Sequence, residues 1–403
     1  RIRIMTQYLT AKEAAAELGI SISTLYAYVS RGLIQSEEGV GKTRAKRYRR
    51  DDVEALKTRK ALRKNPAKAV EDALHWGTPL LESGITLIEN GRLYYRGHDA
   101  LNLPQDHSFE EVAALLWQND FDANSLFTND AKFPFLAETQ PLFAHLSPID
   151  AFQIVLPLAA HQDLSGYDLQ SAAVAQTGAR VLQLETAVIA QQTNRTSIAQ
   201  ALQQTWSPQQ PHATDLINTA LIYCADHELN VSTFTARTVA SAEANPYAAV
   251  SAGLSALQGK KHGGFTERVD LFFREVGTPD NAYQTIANRL KRGELIPGFG
   301  HPLYPGGDPR GRELLAQITA VFPQAPAVQL AQSVCQILKE LNNSTPNIDF
   351  ALVALAWAAN LPRYAPIALF AIGRTAGWIG HIIEQYTQDQ MIRPRAKYNG
   401  IRP

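Results

Sequence analysis

Apolar positions recur at three- and four-residue spacing along most of the chain, and polar joints bearing glycine or proline break that pattern into helices. The stretch YLTAKEAAAELGISISTLYAYVSRGLI at residues 8–34 predicts two short helices around a glycine. Thr10 caps the first, and Glu13 three residues on completes a capping box. Ala14, Ala15 and Leu18 follow at helical spacing, and Gly19 closes the helix. Ser21 or Ser23 starts the second, with Leu25 and Val29 inward and Ser23, Thr24, Tyr26 and Arg31 outward. GKTRAKRYRRDDVEAL then predicts a basic, hairpin-like wing and a third helix from Asp51. Residues 59–74 read as a charged, partly helical linker, and after Gly77 the pattern changes. GITLIENGRLYYRGHDALNL alternates around Asn90 and Gly91, which predicts a β-hairpin with a tight turn. From SFEEVAALLW onward helical periodicity dominates: Ser108 and Glu111 form a second capping box, and Val112, Leu115 and Leu116 share one face. There is no repeat, heptad array or low-complexity tract, so the body is expected to be mainly α.

Composition adds an asymmetry. The chain has 403 residues and a formal net charge of zero, yet residues 1–64 hold 15 Lys/Arg against 7 Asp/Glu, a net of +8, leaving −8 for the rest. A basic head on an acidic body points to separate partners for the two parts. Two cysteines, Cys224 and Cys335, fit a reducing compartment and give no metal or redox spacing, so a cytoplasmic protein without a metal site is expected. Residues 1–30 lack a secretory pattern, and the longest apolar runs are too short for a membrane span and read as buried helices. Met5 would serve as a natural start, with RIRI upstream of it. Six of the nine residues Lys42–Arg50 are basic. Two helices, a basic wing and a third helix resemble the winged helix-turn-helix of MerR-type regulators. That resemblance implies a second helix in a DNA major groove and a wing on phosphates, with DNA contacts from residues 8–50. A protein-interaction module fits the same pattern, because a fold does not fix a function.

Polar clusters interrupt the helices of the body: DHELN at 226–230, GKKHGG at 259–264, PGFGHPLYPGGDPR at 297–310 and PNIDF at 346–350. The third holds four prolines and four glycines in fourteen residues, which excludes a long helix or a central strand. Singly, each cluster is weak: a lone histidine is more often a hydrogen-bonded structural residue, and an Asp after Pro-Asn more often caps a helix.

In this order, with LYYRGHDA before them and FAIGRTAGWIGH and RPRAKYNG after, the clusters resemble the citrate synthase family over residues 78–403. The resemblance implies a two-domain, all-helical fold with a large and a small domain. The expected division is 1–58 for the winged helix-turn-helix, 59–76 for the linker and 77–403 for the synthase, with a small domain at roughly 264–365 inserted in the large one. It implies condensation of acetyl-CoA with oxaloacetate and hydrolysis of the thioester to citrate and CoA, a tricarboxylic acid cycle reaction needing no cofactor because the acyl-CoA is a substrate. Use of propionyl-CoA to give 2-methylcitrate is one alternative. A DNA-binding regulator that uses the body as a metabolite sensor is another.

The resemblance also implies roles. Asp349 is the base that takes a proton from the acyl methyl group, His262 stabilises the enol, and His301 polarises the ketone. His227 binds oxaloacetate, and Arg310, Arg374 and Arg393 bind its carboxylates, since guanidinium pairs with carboxylate bidentately. Arg395 is the neighbouring candidate to Arg393. In the family the arginine at that place reaches the other subunit's site, which implies a homodimer with shared active sites. Three departures stand out. Lys260 and Lys261 precede His262 where an apolar residue is usual, Pro305 stands where a CoA-contacting cation is frequent, and IDFALVALAWAAN replaces the usual residues after the Asp.

Overall fold

A computed structural model describes residues 8–38, 46–50, 52–53, 56–57, 81–127, 133–190, 197–396 and 398–402. The expected linker 59–76, Met5 and the first half of the basic wing lie outside the described residues. The chain divides into two compact units, Arg1–Glu82 and Ser83–Pro403.

In the first unit, β1 (Tyr8–Thr10) leads into α1 (Ala11–Leu18), α2 (Ile22–Ser30), β2 (Ser36–Glu38) and β3 (Lys46–Arg49). The sheet order β1-β3-β2 places β3 antiparallel between the other two strands. The Thr10–Glu13 capping box forms, Gly19 closes α1 in the left-handed region at φ 59°, and Ser21 caps α2. The core is Leu9, Ala14, Ala15, Leu18, Leu25, Ile34, Tyr48, Val53 and Leu56, with Val29 packed against it. Strand β1 was not expected: Tyr8–Thr10 is too short to show a period.

The second unit opens with a three-stranded meander. β4 (Thr86–Glu89) and β5 (Arg92–Tyr95) are joined by Asn90 and Gly91, both at positive φ, and β6 (His98–Asp99) pairs with β5. The predicted hairpin is thus present with its Asn-Gly turn. Helices follow: α3 (Leu103–Asp106), α4 (Phe109–Gln118), α5 (Phe135–Phe143), α6 (Pro148–Gln162), α7 (Ser171–Ala190), α8 (Ile198–Trp206), α9 (Ala213–Cys224), α10 (Val231–Ala240), α11 (Pro246–Leu257), α12 (Phe265–Val276), α13 (Ala282–Lys291), α14 (Pro309–Val321), α15 (Pro326–Asn342), α16 (Ile348–Ala358) and α17 (Ala365–Gln388). Together with α1 and α2 these leave the protein 62% helical among the described residues, the all-helical architecture expected.

The axis of the unit is α17, which packs on α4, α7, α9, α10 and α11. It is the one described helix long and apolar enough to cross a membrane, but nearly all of it is buried by its neighbours, so it is the core helix of the fold. Glycines within a helix cost about 1 kcal/mol each relative to alanine. Here they permit contact: a Cβ on Gly377 would stand 2.3 Å from the Ala225 carbonyl oxygen. Helices α12 to α16 pack largely on one another, with α16 in contact with α12, α14 and α15.

Candidate active site

Three connecting segments and three helices converge. His227 lies in the joint between α9 and α10, where Glu228 takes a left-handed φ of 52° and Asn230 caps α10. His262 lies between α11 and α12, and its backbone geometry depends on Gly263, where a Cβ would meet the Leu257 oxygen at 2.2 Å. His301 sits in the glycine- and proline-rich loop that ends at α14, with Arg310 in that helix's first turn. Asp349 is in the first turn of α16, and Arg374 is midway along α17.

The loop's shape has a definite cause. Phe299 forms an antiparallel bridge with Pro346. Gly300 donates to the Thr345 oxygen at 3.0 Å, and Asn347 donates to the Gly298 oxygen at 2.9 Å. Gly298 and Gly307 hold positive φ values of 83° and 97°, which favour glycine, and a Cβ on Gly307 would meet Thr345 Oγ1 at 1.9 Å. The segment 298–307 is therefore zipped onto 345–347, and the zip carries His301 and Arg310 beside Asp349. Asp308 locks the corner. It caps α14, accepts from the Ile348 backbone N–H at 3.1 Å, and binds Arg310 through Nε at 3.0 Å and Nη2 at 2.9 Å.

The histidines form a tight group. His227 and His301 meet edge to face with centroids 4.9 Å apart, and both rings flank Tyr304. His227 Nε2 bonds the Tyr304 hydroxyl at 3.0 Å. The Leu303 backbone N–H donates to His301 Nδ1 at 3.2 Å, so in neutral His301 the proton is on Nε2, available as a donor. His262 Nε2 lies 2.7 Å from Ser232 Oγ, which also receives the Trp378 indole N–H and donates to Asn230 Oδ1. Ser232 has one proton and two acceptors in reach, so its orientation sets the tautomer of His262.

Electrostatics make all three histidines neutral near pH 7. Burial, then the charge of Arg310, holds His301 down to about 4. Burial, then Arg374, holds His262 down to about 4. His227 is pushed well below its ordinary range by burial, with Arg310, His301 and Arg374 adding to it. Asp349 shifts the other way. Burial raises its carboxyl to about 7, even though Arg310 and Arg374 pull it down, while a fraction of its surface stays open to solvent.

Both arginines are almost wholly buried, at 2% exposure for Arg310 and 1% for Arg374. Arg310 spends Nε and Nη2 on Asp308, and Arg374 donates from Nε to the Cys224 oxygen at 2.9 Å. Among the described residues, Arg310 Nη1 and both terminal nitrogens of Arg374 make no hydrogen bond. A guanidinium has five N–H donors, and these unused ones are not among the sealed-off polar atoms of the fold, so an anion can reach them. The cluster is thus built to receive a small anion with more than one carboxylate, beside a carboxyl poised near neutrality.

Six of the seven expected residues, His227, His262, His301, Arg310, Asp349 and Arg374, fall in this cluster. Arg393 does not join it within one chain. It is exposed in the extended segment after α17, as is Arg395, and makes no hydrogen bond or ion pair among the described residues. Sequence reasoning passed over Tyr304, Asp308, Ser232 and Asp226. Asp308 had a readable signal, an Asp directly before a helix that starts with proline. The others had none: their partners lie 30 to 155 residues away. Asp226 Oδ2 accepts from Thr86 Oγ1 at 2.6 Å and faces His381 Nε2 at 3.3 Å, inside the core beside His227.

Comparison with known proteins gives a consistent result. The profile described as "Citrate synthase, C-terminal domain" matches residues 73–395, and that of a "Helix-turn-helix domain" matches residues 8–61. Citrate synthase 2 of Bacillus subtilis is 28% identical over 353 residues, covering 80% of this chain and 94% of its own. Putative citrate synthase 2 of Mycobacterium bovis is 32% identical over 333 residues, covering 78% and 88%. The protein named 2-methylcitrate synthase 2 of Corynebacterium glutamicum is 28% identical over 345 residues, covering 77% and 90%. Among solved structures, citrate synthase from Thermotoga maritima aligns with a TM-score of 0.69 and 26% identity, over 81% of this chain and 94% of that one. The Pyrobaculum aerophilum enzyme shares the fold at a TM-score of 0.71 and 23% identity, over 81% and 91%.

Proposed function

Because the chain belongs to the citrate synthase family and is an enzyme of that type, we propose that this cluster condenses acetyl-CoA with oxaloacetate to give citrate and free CoA. The observation that carries the reading is the pair of buried arginines with unused donors beside a carboxyl held near 7. Asp349, as carboxylate, removes a proton from the acyl methyl group. Neutral His262 donates a hydrogen bond to the thioester oxygen, where enolate charge develops, which requires Ser232 to turn its proton from Asn230 Oδ1 to Nε2 and leave the His262 proton on Nδ1. The carbon nucleophile attacks the ketone of oxaloacetate, whose oxygen is polarised and then protonated through His301 Nε2–H. Arg310, Arg374 and His227 hold the keto diacid. Water then cleaves the thioester, releasing the CoA thiol and the third carboxylate.

Arg393 completes the carboxylate grip from a second copy of the chain, in a homodimer with shared sites. The choice of acyl group turns on about one methylene, which is worth about 1–3 kcal/mol in an apolar pocket, and the relatives' names include both activities. Thiol release with acetyl-CoA and propionyl-CoA, compared as kcat/KM at saturating oxaloacetate, tests the assignment. Higher kcat/KM for acetyl-CoA supports it; higher kcat/KM for propionyl-CoA makes the enzyme a 2-methylcitrate synthase.

A second reading concerns the helix-turn-helix unit. Helix α2 exposes Ser23 and Tyr26, and strand β3 exposes Lys46 and Arg47. That split suits base contacts from the helix and phosphate contacts from the strand, with DNA as the ligand. Binding would then fall steeply with salt, and Lys46→Ala with Arg47→Ala would flatten the slope by about 2. A salt-insensitive complex, or none at low salt, would assign the unit to protein contacts.

A further inference from the structure

Arg237 is buried at zero exposure in α10, yet neither the chemistry above nor the core packing accounts for a guanidinium there. An arginine in such a place is costly unless its donors are used. Three contacts lie on one short stretch of α17. Nε donates to Gln385 Oε1 at 2.9 Å, Nη2 donates to Gln388 Oε1 at 2.8 Å, and Nη1 lies 3.7 Å from the Glu384 carboxylate. With its oxygen taken by Arg237, Gln385 presents its amide N–H outward, and that group donates to the Gln390 carbonyl at 2.8 Å. Two residues on, the Ile392 backbone N–H donates to Ser241 Oγ at 3.0 Å, while Ser241 donates to the Thr238 carbonyl at 2.7 Å. The Tyr386 hydroxyl also donates to the Ala244 carbonyl. Between these anchors Asp389 takes a left-handed φ of 47° and ends the helix. Arg393 is the next residue after the second anchor.

We propose that Arg237 and Ser241 are positioning residues: they fix the direction in which segment 389–396 leaves α17, and so set the reach of Arg393 toward a carboxylate of oxaloacetate. The proposal rests on the role given to Arg393 above. Helix α10 suits the task because one rigid element serves both ends of the site. Its first turn holds Asn230 and Ser232 against His227 and His262, and its last turn and the residues after it hold the arm. A lysine at 237 keeps the charge but cannot span Gln385, Gln388 and Glu384 with a fixed fork.

Steady-state kinetics on Ser241→Ala and Arg237→Lys, alone and combined with Arg393→Gln, test this. Expected is a rise in KM for oxaloacetate of about three- to tenfold, the worth of one hydrogen bond, with kcat and the KM for acyl-CoA little changed. In the Arg393→Gln background Ser241→Ala adds nothing, because the arm no longer carries its ligand group. The same rise in both backgrounds, or a fall in kcat with KM unchanged, overturns the proposal and makes the contacts purely structural. If Arg237→Lys does not fold, Ser241→Ala, which removes one acceptor at a half-buried place, carries the test. If Arg393→Gln itself leaves KM unchanged, the role of Arg393 falls and the clamp with it. If Arg393→Gln raises KM and Ser241→Ala does not, only the clamp falls.

Discussion

The division of labour among the titratable residues comes from where each one is buried. Burial moves a histidine down and a carboxyl up, in each case favouring the neutral form. His301 and His262 are therefore uncharged above about 4, and can donate hydrogen bonds without adding cations beside Arg310 and Arg374. Asp349, held at about 7, must lose its proton to act as a base. The rate should therefore rise with pH through about 7, with no histidine limb between 5 and 8. A kcat profile that is flat across pH 6–8 would remove Asp349 from that role. The same burial has a stability cost. The folded carboxyl is harder to ionise than its ordinary value of 3.8, so stability falls as pH rises from about 4 to about 7. Asp349→Asn should lower kcat by about 10²–10⁴ and raise the melting temperature at pH 8, with a ceiling of about 4 kcal/mol. An Asn variant that melts lower at pH 8 would contradict this. None of these shifts is legible in the sequence, since Asp349 stands two places after the capping Asn347, as an ordinary first-turn acidic residue would.

At the scale of elements, the sequence showed its local rules and hid its distant ones. Both capping boxes, the Asn-Gly hairpin and the inward faces of α1 and α4 follow from residues within four positions of each other, and all are present. The proline- and glycine-rich stretch is legible as irregular backbone, but its partner, residues 345–347, lies more than thirty positions on and leaves no local trace. Gly311 belongs to the same seam: a Cβ there would stand 2.3 Å from the Asn347 carbonyl carbon, where only backbone can yield. Gly311→Ala should push α14 from the start of α16, costing about 1–3 kcal/mol and raising the KM for oxaloacetate, because Arg310 moves with its helix. Calorimetry and initial rates check both effects. A variant with parental stability and KM would show that the seam does not hold the site.

For the whole molecule, six of the proposed functional groups lie in one cluster and the seventh, Arg393, stands outside it on an exposed arm. A site shared between copies accounts for that, and predicts complementation. Co-expressed Asp349→Ala and Arg393→Ala chains should regain activity, because a mixed dimer rebuilds one site with both residues intact. Mixed chains as inactive as each variant alone would place Arg393 within its own chain's site or outside the reaction. The order of motifs along the chain was enough to identify the family, whereas no pattern along it says where the exposed arm carries Arg393. The most direct test of the central claim is release of free CoA thiol from acetyl-CoA, dependent on oxaloacetate, by the parent and by Asp349→Ala. The parent should release thiol only when oxaloacetate is present, and the variant, folded and still binding oxaloacetate, should release it at least about a hundredfold more slowly. Equal rates in the two proteins, or thiol release indifferent to oxaloacetate, would contradict the account.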